Sequence, residues 1–235
     1  MPDPRRPSSA SQHIKVEEPE SGGPRYIVVE GPIGVGKTSL AKRLARSYAS
    51  ELMLEDAEEN PFLERFYRNR RFAALPTQLF FLLQRARQIE DLRQGDMFSP
   101  VRVADFLLDK DRLFAELNLD PNELKLYDQV AETLALDPPK PDLVVYLQAP
   151  AHVLLKRIAM RGLDYEQSID VDYLERLGEA YARFFYDFDA APLLIVNAAA
   201  IDPIHREADY QALLDTIGRI KRGRHFFNPS AEALG

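Results

Sequence analysis

An α/β fold built on a five-stranded parallel sheet, with helices on both faces, is what this 235-residue sequence predicts. Three observations carry that reading. Strand-like and helical stretches alternate from about residue 25 to 222, and strands separated by helices imply parallel pairing with both faces covered. The run Leu143-Val-Val-Tyr-Leu147 is apolar throughout, as an inner strand of such a sheet must be. Finally, Gly31-Pro32-Ile33-Gly34-Val35-Gly36-Lys37-Thr38 separates the strand-like Tyr26-Ile-Val-Val29 from an amphipathic stretch, Ser39 to Tyr48. Its G-x-x-x-x-G-K-[ST] spacing, in strand–loop–helix order, is that of a loop whose amide N–H groups wrap a phosphate. In that pattern Lys37 reaches the β- and γ-phosphates and the Thr38 hydroxyl can ligand magnesium.

Taken in order, residues 1 to about 24 are rich in Pro, Ser, Gly and charge, and are expected to be a disordered tail. The first strand, 25–30, feeds the phosphate loop, and the first helix, 37–49, leaves it. A second strand is expected over 51–55 and a short helix over 61–68, with Pro61 at its start, where a missing N–H costs nothing. The long helix 77–94 is apolar nearly all round and stops at Gly95. Strand 101–105 precedes helices 111–117 and 121–136. Strand 142–148 is followed by helix 151–161, helix 171–187, strand 192–197 and a last helix, 206–221. Residues 223–235 read as a loose end. The basic cluster from Arg219 to His225 is read as complementing the dipole of that last helix.

The net charge of −7 argues against a general nucleic-acid binder, which draws its affinity from neutralising phosphates. The sequence has no cysteine, which excludes disulfides and thiolate metal sites, and its four histidines have no ligand spacing. No apolar run is long enough to span a bilayer, and the N-terminus lacks the apolar core of a signal peptide. The expected location is the cytoplasm.

Ligands of open α/β sheets bind beyond the carboxyl ends of the strands. There the sequence places the phosphate loop, Glu55 and Asp105. Phosphoryl transfer needs an anion to hold magnesium and, for an alcohol acceptor, a base near the hydroxyl. GTPase signatures are missing: Asp105-Phe-Leu-Leu is not D-x-x-G, and no N-K-x-D follows Asn197. Arg157 and Arg161 share a helix face just before Gly162. They fit either dipole complementation or a mobile lid closing over a triphosphate. Gln78 and Arg85 share a face of the long helix. A polar pair there must find partners, which may be a ligand's polar edge; alternatively Gln78, close behind Pro76, caps the helix start.

With these segments in hand, residues 25 to 220 resemble the deoxynucleoside kinase family, most closely its bacterial deoxyadenosine and deoxyguanosine kinases. The resemblance rests on Glu30 to Thr38, Glu55 to Phe62, Thr77 to Phe80, Asp105 to Phe114, Arg157 to Glu166, and Tyr173 to Leu177. It implies a P-loop kinase with a lid, ATP and magnesium as cofactors, and a homodimer. It further implies that Glu55 is the base for the sugar 5′-hydroxyl, and that Lys37 and Thr38 handle triphosphate and magnesium. Asp105 matches an acid associated with the metal. Tyr67 and Glu166 match the grip on the 3′-hydroxyl, Gln78, Arg85 and Asp111 match the readers of the base, and Arg157 and Arg161 match lid arginines. Two positions depart: Phe106 stands where many relatives have arginine after the strand-end acid, and Leu163 replaces a lid arginine. Lys110 or Arg112 could compensate.

The function implied is transfer of the ATP γ-phosphoryl group to the 5′-hydroxyl of a deoxynucleoside, purines favoured and deoxyadenosine first. The alternatives are a nucleoside monophosphate kinase of the thymidylate type and a nucleotide-binding protein that lost turnover.

Overall fold

The computed structural model describes residues 24–94 and 101–228; the tail expected over most of 1–24 and the stop at Gly95 lie outside them. Six strands form one parallel sheet: β1 (Tyr26–Glu30), β2 (Glu51–Met53), β3 (Arg102–Ala104), β4 (Leu143–Gln148), β5 (Leu193–Asn197) and β6 (Arg224–Phe227), in the order β2-β3-β1-β4-β5-β6. The helices are α1 (Lys37–Ser47), α2 (Leu63–Arg68), α3 (Arg70–Gln94), α4 (Lys110–Asn118), α5 (Pro121–Leu134), α6 (Ala151–Arg161), α7 (Val171–Asp187) and α8 (Glu207–Arg219), with short 3-10 turns at Ala57–Glu59 and Asp164–Ser168.

Successive strand residues face opposite sides of a sheet. Ile27, Val28 and Val29 in β1, and Leu143, Val144 and Val145 in β4, are all buried without remainder, so helices cover both faces at the centre. Both central strands start together: Ile27 pairs with Leu143 and with Val103. The order of strands reverses at β1, the switch point where such sheets bind ligands. A smaller apolar cluster, Leu82, Ala115 and Tyr127, ties α3 to α4 and α5. Asp120 accepts from the backbone N–H of Asn122 and Glu123, while Glu123 returns the bond to Asp120, so α5 begins on a capping box with Pro121 as its first residue.

Two expectations need correction. The sheet has a sixth strand, because Arg224–Phe227, expected as a loose end, pairs in parallel with Leu193–Val196 of β5. Four residues with three exposed positions carry little hydrophobic period, so the strand was not readable. Its anchor is the Arg224 guanidinium, which donates to the carbonyls of Phe185 and Tyr186 at 2.9 and 2.8 Å, at the C-terminus of α7. Arg219 does lie in the last turn of α8, as expected of a dipole-complementing cation, but Arg224 serves a different helix. Second, α3 starts at Arg70 and runs through Pro76. Proline forfeits one helical hydrogen bond, and packing against α2, α4 and α5 outweighs that loss. Gln78 therefore lies about two turns inside the helix and cannot cap its start.

Arg224→Ala should lower the unfolding free energy by about 1 kcal/mol, the scale of a partly exposed charge-assisted bond, leaving kcat unchanged. Urea unfolding with parallel kinetics measures both; an unaltered midpoint would mean that β6 contributes nothing through this anchor.

Candidate active site

Glu30 ends β1 with a fully buried carboxylate. It accepts from the N–H of Gly31 at 2.8 Å, the N–H of Leu107 at 2.8 Å and the hydroxyl of Tyr181 at 2.9 Å. These donors fix the exit of the strand and the start of the phosphate loop. A side chain at Gly31 would place its Cβ 2.3 Å from the Leu147 carbonyl oxygen, with φ at +149°. Gly36 caps α1 at φ +105° with open space where a Cβ would stand, so the N-terminus of an eleven-residue helix faces the site bare. The Lys37 ammonium reaches back to the Gly31 carbonyl at 2.8 Å. Burial, helped by Lys110, lowers its pKa.

The Thr38 hydroxyl donates to one Asp105 carboxylate oxygen at 2.5 Å, and the other accepts from the Glu55 N–H at 2.6 Å. Asp105 thereby joins the ends of β3 and β2 to the first turn of α1. Glu55 lies just beyond the end of β2. Its carboxylate pairs with Arg85 of α3 and, at 3.0 Å, with Lys110 of α4. Burial would raise its pKa, but Lys110, Arg85 and Lys37 together hold it well below the ordinary carboxylate range.

One cavity of about 610 Å³ joins Gly34, Lys37, Thr38, Glu55, Tyr67, Gln78, Asp105, Asp111, Arg161 and Glu166. Tyr67 stacks on Tyr165 with ring centroids 5.9 Å apart, and burial raises its hydroxyl pKa. Glu166 is held beside it by the guanidinium of Arg161, which donates through Nε at 2.9 Å and through Nη2. Gln78 and Asp111 form the opposite wall with Phe81 and Phe114. A groove of similar volume, about 650 Å³, lies between α4 and α7. It has neither the phosphate loop nor a strand end, so the chemistry belongs to the first cavity.

Two expected cavity residues stand elsewhere. Arg157 donates to the carbonyls of Val35 at 2.9 Å and Ala198 at 2.7 Å, so it braces the phosphate loop from behind. Arg85 is wholly buried behind the wall, pairing with Glu55, lying 3.6 Å from Asp111 and stacking on Phe106 at 4.2 Å. It stands behind the cavity lining rather than in it. Of the compensating cations, Lys110 lines the cavity. Arg112 does not; it pairs at the surface with Glu116 and Asp128. Glu30 was missed. Its signal was a charge at the end of an otherwise apolar strand.

Magnesium fits this donor set. A hydroxyl and a carboxylate on adjacent elements are hard oxygens, and magnesium usually takes one or two carboxylates with water and phosphate oxygens.

Burial raises the Asp111 carboxyl to about 6 despite Arg85 and Lys110. The folded value thus exceeds the unfolded value of 3.8, so ionised Asp111 costs stability above about pH 6, and the cost fades as pH falls towards the unfolded value. Asp111→Asn should melt higher than wild type at pH 8, with the gap narrowing as pH falls through about 6 towards 3.8. A variant that melts lower at pH 8 would show that the ion pair with Arg85 outweighs the burial cost.

The deoxynucleoside kinase family model matches residues 27–220. The chain is 38% identical over 197 residues to the deoxyguanosine kinase of Bacillus subtilis, covering 80% of this chain and 93% of that one. It is 32% identical to the deoxyadenosine kinase of Lactobacillus acidophilus over 192 residues, covering 76% and 87%. A deoxyadenosine kinase from M. mycoides, solved with the products dCMP and a flexible dCDP, has the same fold at a TM-score of 0.72 and 24% identity, covering 83% of this chain and all of that one. Since the match runs from within β1 to the end of the last helix and encloses the whole cavity, the chain belongs to the deoxynucleoside kinase family and is an enzyme that phosphorylates deoxynucleosides.

Proposed function

We propose that the donor is ATP with magnesium, and that the acceptor is the 5′-hydroxyl of a purine deoxynucleoside, deoxyadenosine first. The observation that supports this most is that Glu55 and the phosphate loop face one cavity, with the Thr38–Asp105 pair between them. In this reading the hydroxyl oxygen bonds to the γ-phosphorus, the bond from that phosphorus to the β-bridging oxygen breaks, and ADP departs. The hydroxyl proton passes to the Glu55 carboxylate. Thr38 and Asp105 would hold the magnesium ion, which when bound offsets phosphate charge. The loop amides and Lys37 position the triphosphate, and Arg161 closes over it once released from Glu166. Tyr67 and Glu166 hold the 3′-hydroxyl. A monophosphate acceptor would require a further free cation, whereas Lys110 is committed to Glu55 and Arg161, in this reading, to the triphosphate.

For the base, Gln78 is the residue we assign. An amide can accept from adenine N6–H₂ and donate to N7, and most of the named relatives are deoxyadenosine or deoxyguanosine kinases, one being a deoxyadenosine/deoxycytidine kinase. Asp111, above its usual pKa, would face another edge. The homodimer is proposed on the family resemblance, and light scattering at twice the chain mass is its check. Among the described residues no helix is long and apolar enough to cross a membrane, in keeping with the proposed cytoplasmic location.

Glu55→Gln should still bind nucleoside and ATP yet lose about 10²–10⁴-fold in kcat, the contribution of a positioned general base; near wild-type turnover would refute the base assignment. Competition among deoxyadenosine, deoxyguanosine, deoxycytidine and thymidine at limiting enzyme should favour the purines, and a win for a pyrimidine would overturn that preference alone. Gln78→Ala should cost about 1–3 kcal/mol in kcat/KM for the preferred base and compress its lead over the others.

A further inference from the structure

Lys110 is a lysine buried as deeply as the apolar core, in the first turn of α4. A buried ammonium is expensive unless paired, so its partners reveal its purpose. Two carboxylates face it: Glu30 at 3.6 Å and Glu55 at 3.0 Å. Glu30 does not need it. Two backbone N–H groups and the Tyr181 hydroxyl already satisfy that carboxylate, and 3.6 Å is too long for a hydrogen bond. The short contact is to Glu55, on the face that opens to the cavity. The ammonium has three N–H donors and spends one on Glu55.

The neighbouring positions explain why this cation is required. The residue directly after Asp105 is Phe106, buried, with the Arg85 guanidinium stacked on its ring. That aromatic cannot donate to Glu55. The strand end therefore carries no cation of its own, and the charge arrives from four residues further along, where the start of α4 turns its first residue back to the strand ends. We propose that Lys110 is the positioning residue for the Glu55 carboxylate, replacing from the first turn of α4 the cation that the position of Phe106 lacks. Lys110 and Arg85 approach Glu55 from different helices, so the carboxylate is fixed from two sides while its cavity face stays open to the acceptor hydroxyl. The inference rests on the assignment of Glu55 as base and names the group that keeps it in place.

The test is steady-state phosphoryl transfer by the full chain with ATP, magnesium and deoxyadenosine or deoxyguanosine. Lys110→Met should lower kcat about 10²-fold, the scale of one preorganised charge contact, with KM for nucleoside changed less than about threefold. Lys110→Arg should restore kcat to within about tenfold of wild type. Phe106→Arg combined with Lys110→Met should recover about tenfold or more over Lys110→Met alone, because it returns a cation to the strand end. In a Glu55→Gln background, Lys110→Met should cost less than about threefold, since a residue acting through Glu55 has nothing left to position.

A loss confined to KM, equal losses in the two backgrounds, or a double variant no better than Lys110→Met would each overturn the proposal. If Lys110→Met does not fold, judged by its melting curve, Lys110→Gln enters the same scheme with the same expected outcomes. Full turnover by Glu55→Gln would sink the base assignment instead, so the two failures are told apart.

Discussion

Four carboxylates, Glu30, Glu55, Asp105 and Asp111, and three cations, Lys37, Arg85 and Lys110, lie within one buried region at the carboxyl ends of β1, β2 and β3. Everything else in the site follows from the need to make that assembly tolerable. Isolated charges in such a place would neutralise themselves. Here each acid but one has close donors: backbone N–H and tyrosine for Glu30, threonine and backbone N–H for Asp105, guanidinium and ammonium for Glu55. Asp111 is left with Arg85 at 3.6 Å, and its raised pKa shows the mismatch. A triphosphate with its metal, as we propose, would enter next to a charge cluster already paired within the protein.

A carboxylate as depressed as Glu55 is a weak proton acceptor, which looks unsuited to the role of base that we propose for it. Phosphoryl transfer reconciles the two. Its transition state is loose, the hydroxyl loses its proton late, and catalysis is mostly positioning and charge stabilisation. A fixed, ionised carboxylate that orients the hydroxyl serves such a reaction better than a strong but mobile base. The backbone does the fixing as well. Asp105 accepts the Glu55 N–H, and the N–H of Asp105 in turn donates to the Met53 carbonyl at 3.1 Å, so Glu55 is tied to the sheet itself.

The loop, the inner strands and the strand-end acids were legible because each is a short local pattern with one physical meaning: glycines at left-handed angles, an apolar run, an acid where a strand stops. The helix that carries Gln78 was legible in period but not in extent, since Pro76 reads as a boundary and only tertiary packing overrules it. β6 was not legible, because its pairing energy comes from β5 and from Arg224 at the end of α7, a partner far away in sequence. Charge partners are the least legible of all. Nothing in the spacing of Lys110 distinguishes a surface helix cation from one enclosed between two carboxylates.

Arg85 and Arg157 make the same distinction from the other side. Both look like recognition residues in the sequence, being cations on helices that border the site. Yet one stands behind the wall, stacked on Phe106 and paired with Glu55, and the other is spent on carbonyls beneath the phosphate loop. Side chains in those places cannot choose among substrates by touching them. They set where the lining groups stand, so their influence reaches the reaction through the orientation of Glu55 and the shape of the loop. On the proposed reading, residues that line the cavity, Gln78 above all, bear on which base enters, and residues that back it bear on rate. The proposed placement of the cation on α4 rather than at the strand end would then leave unaltered the cavity lining that a nucleoside meets.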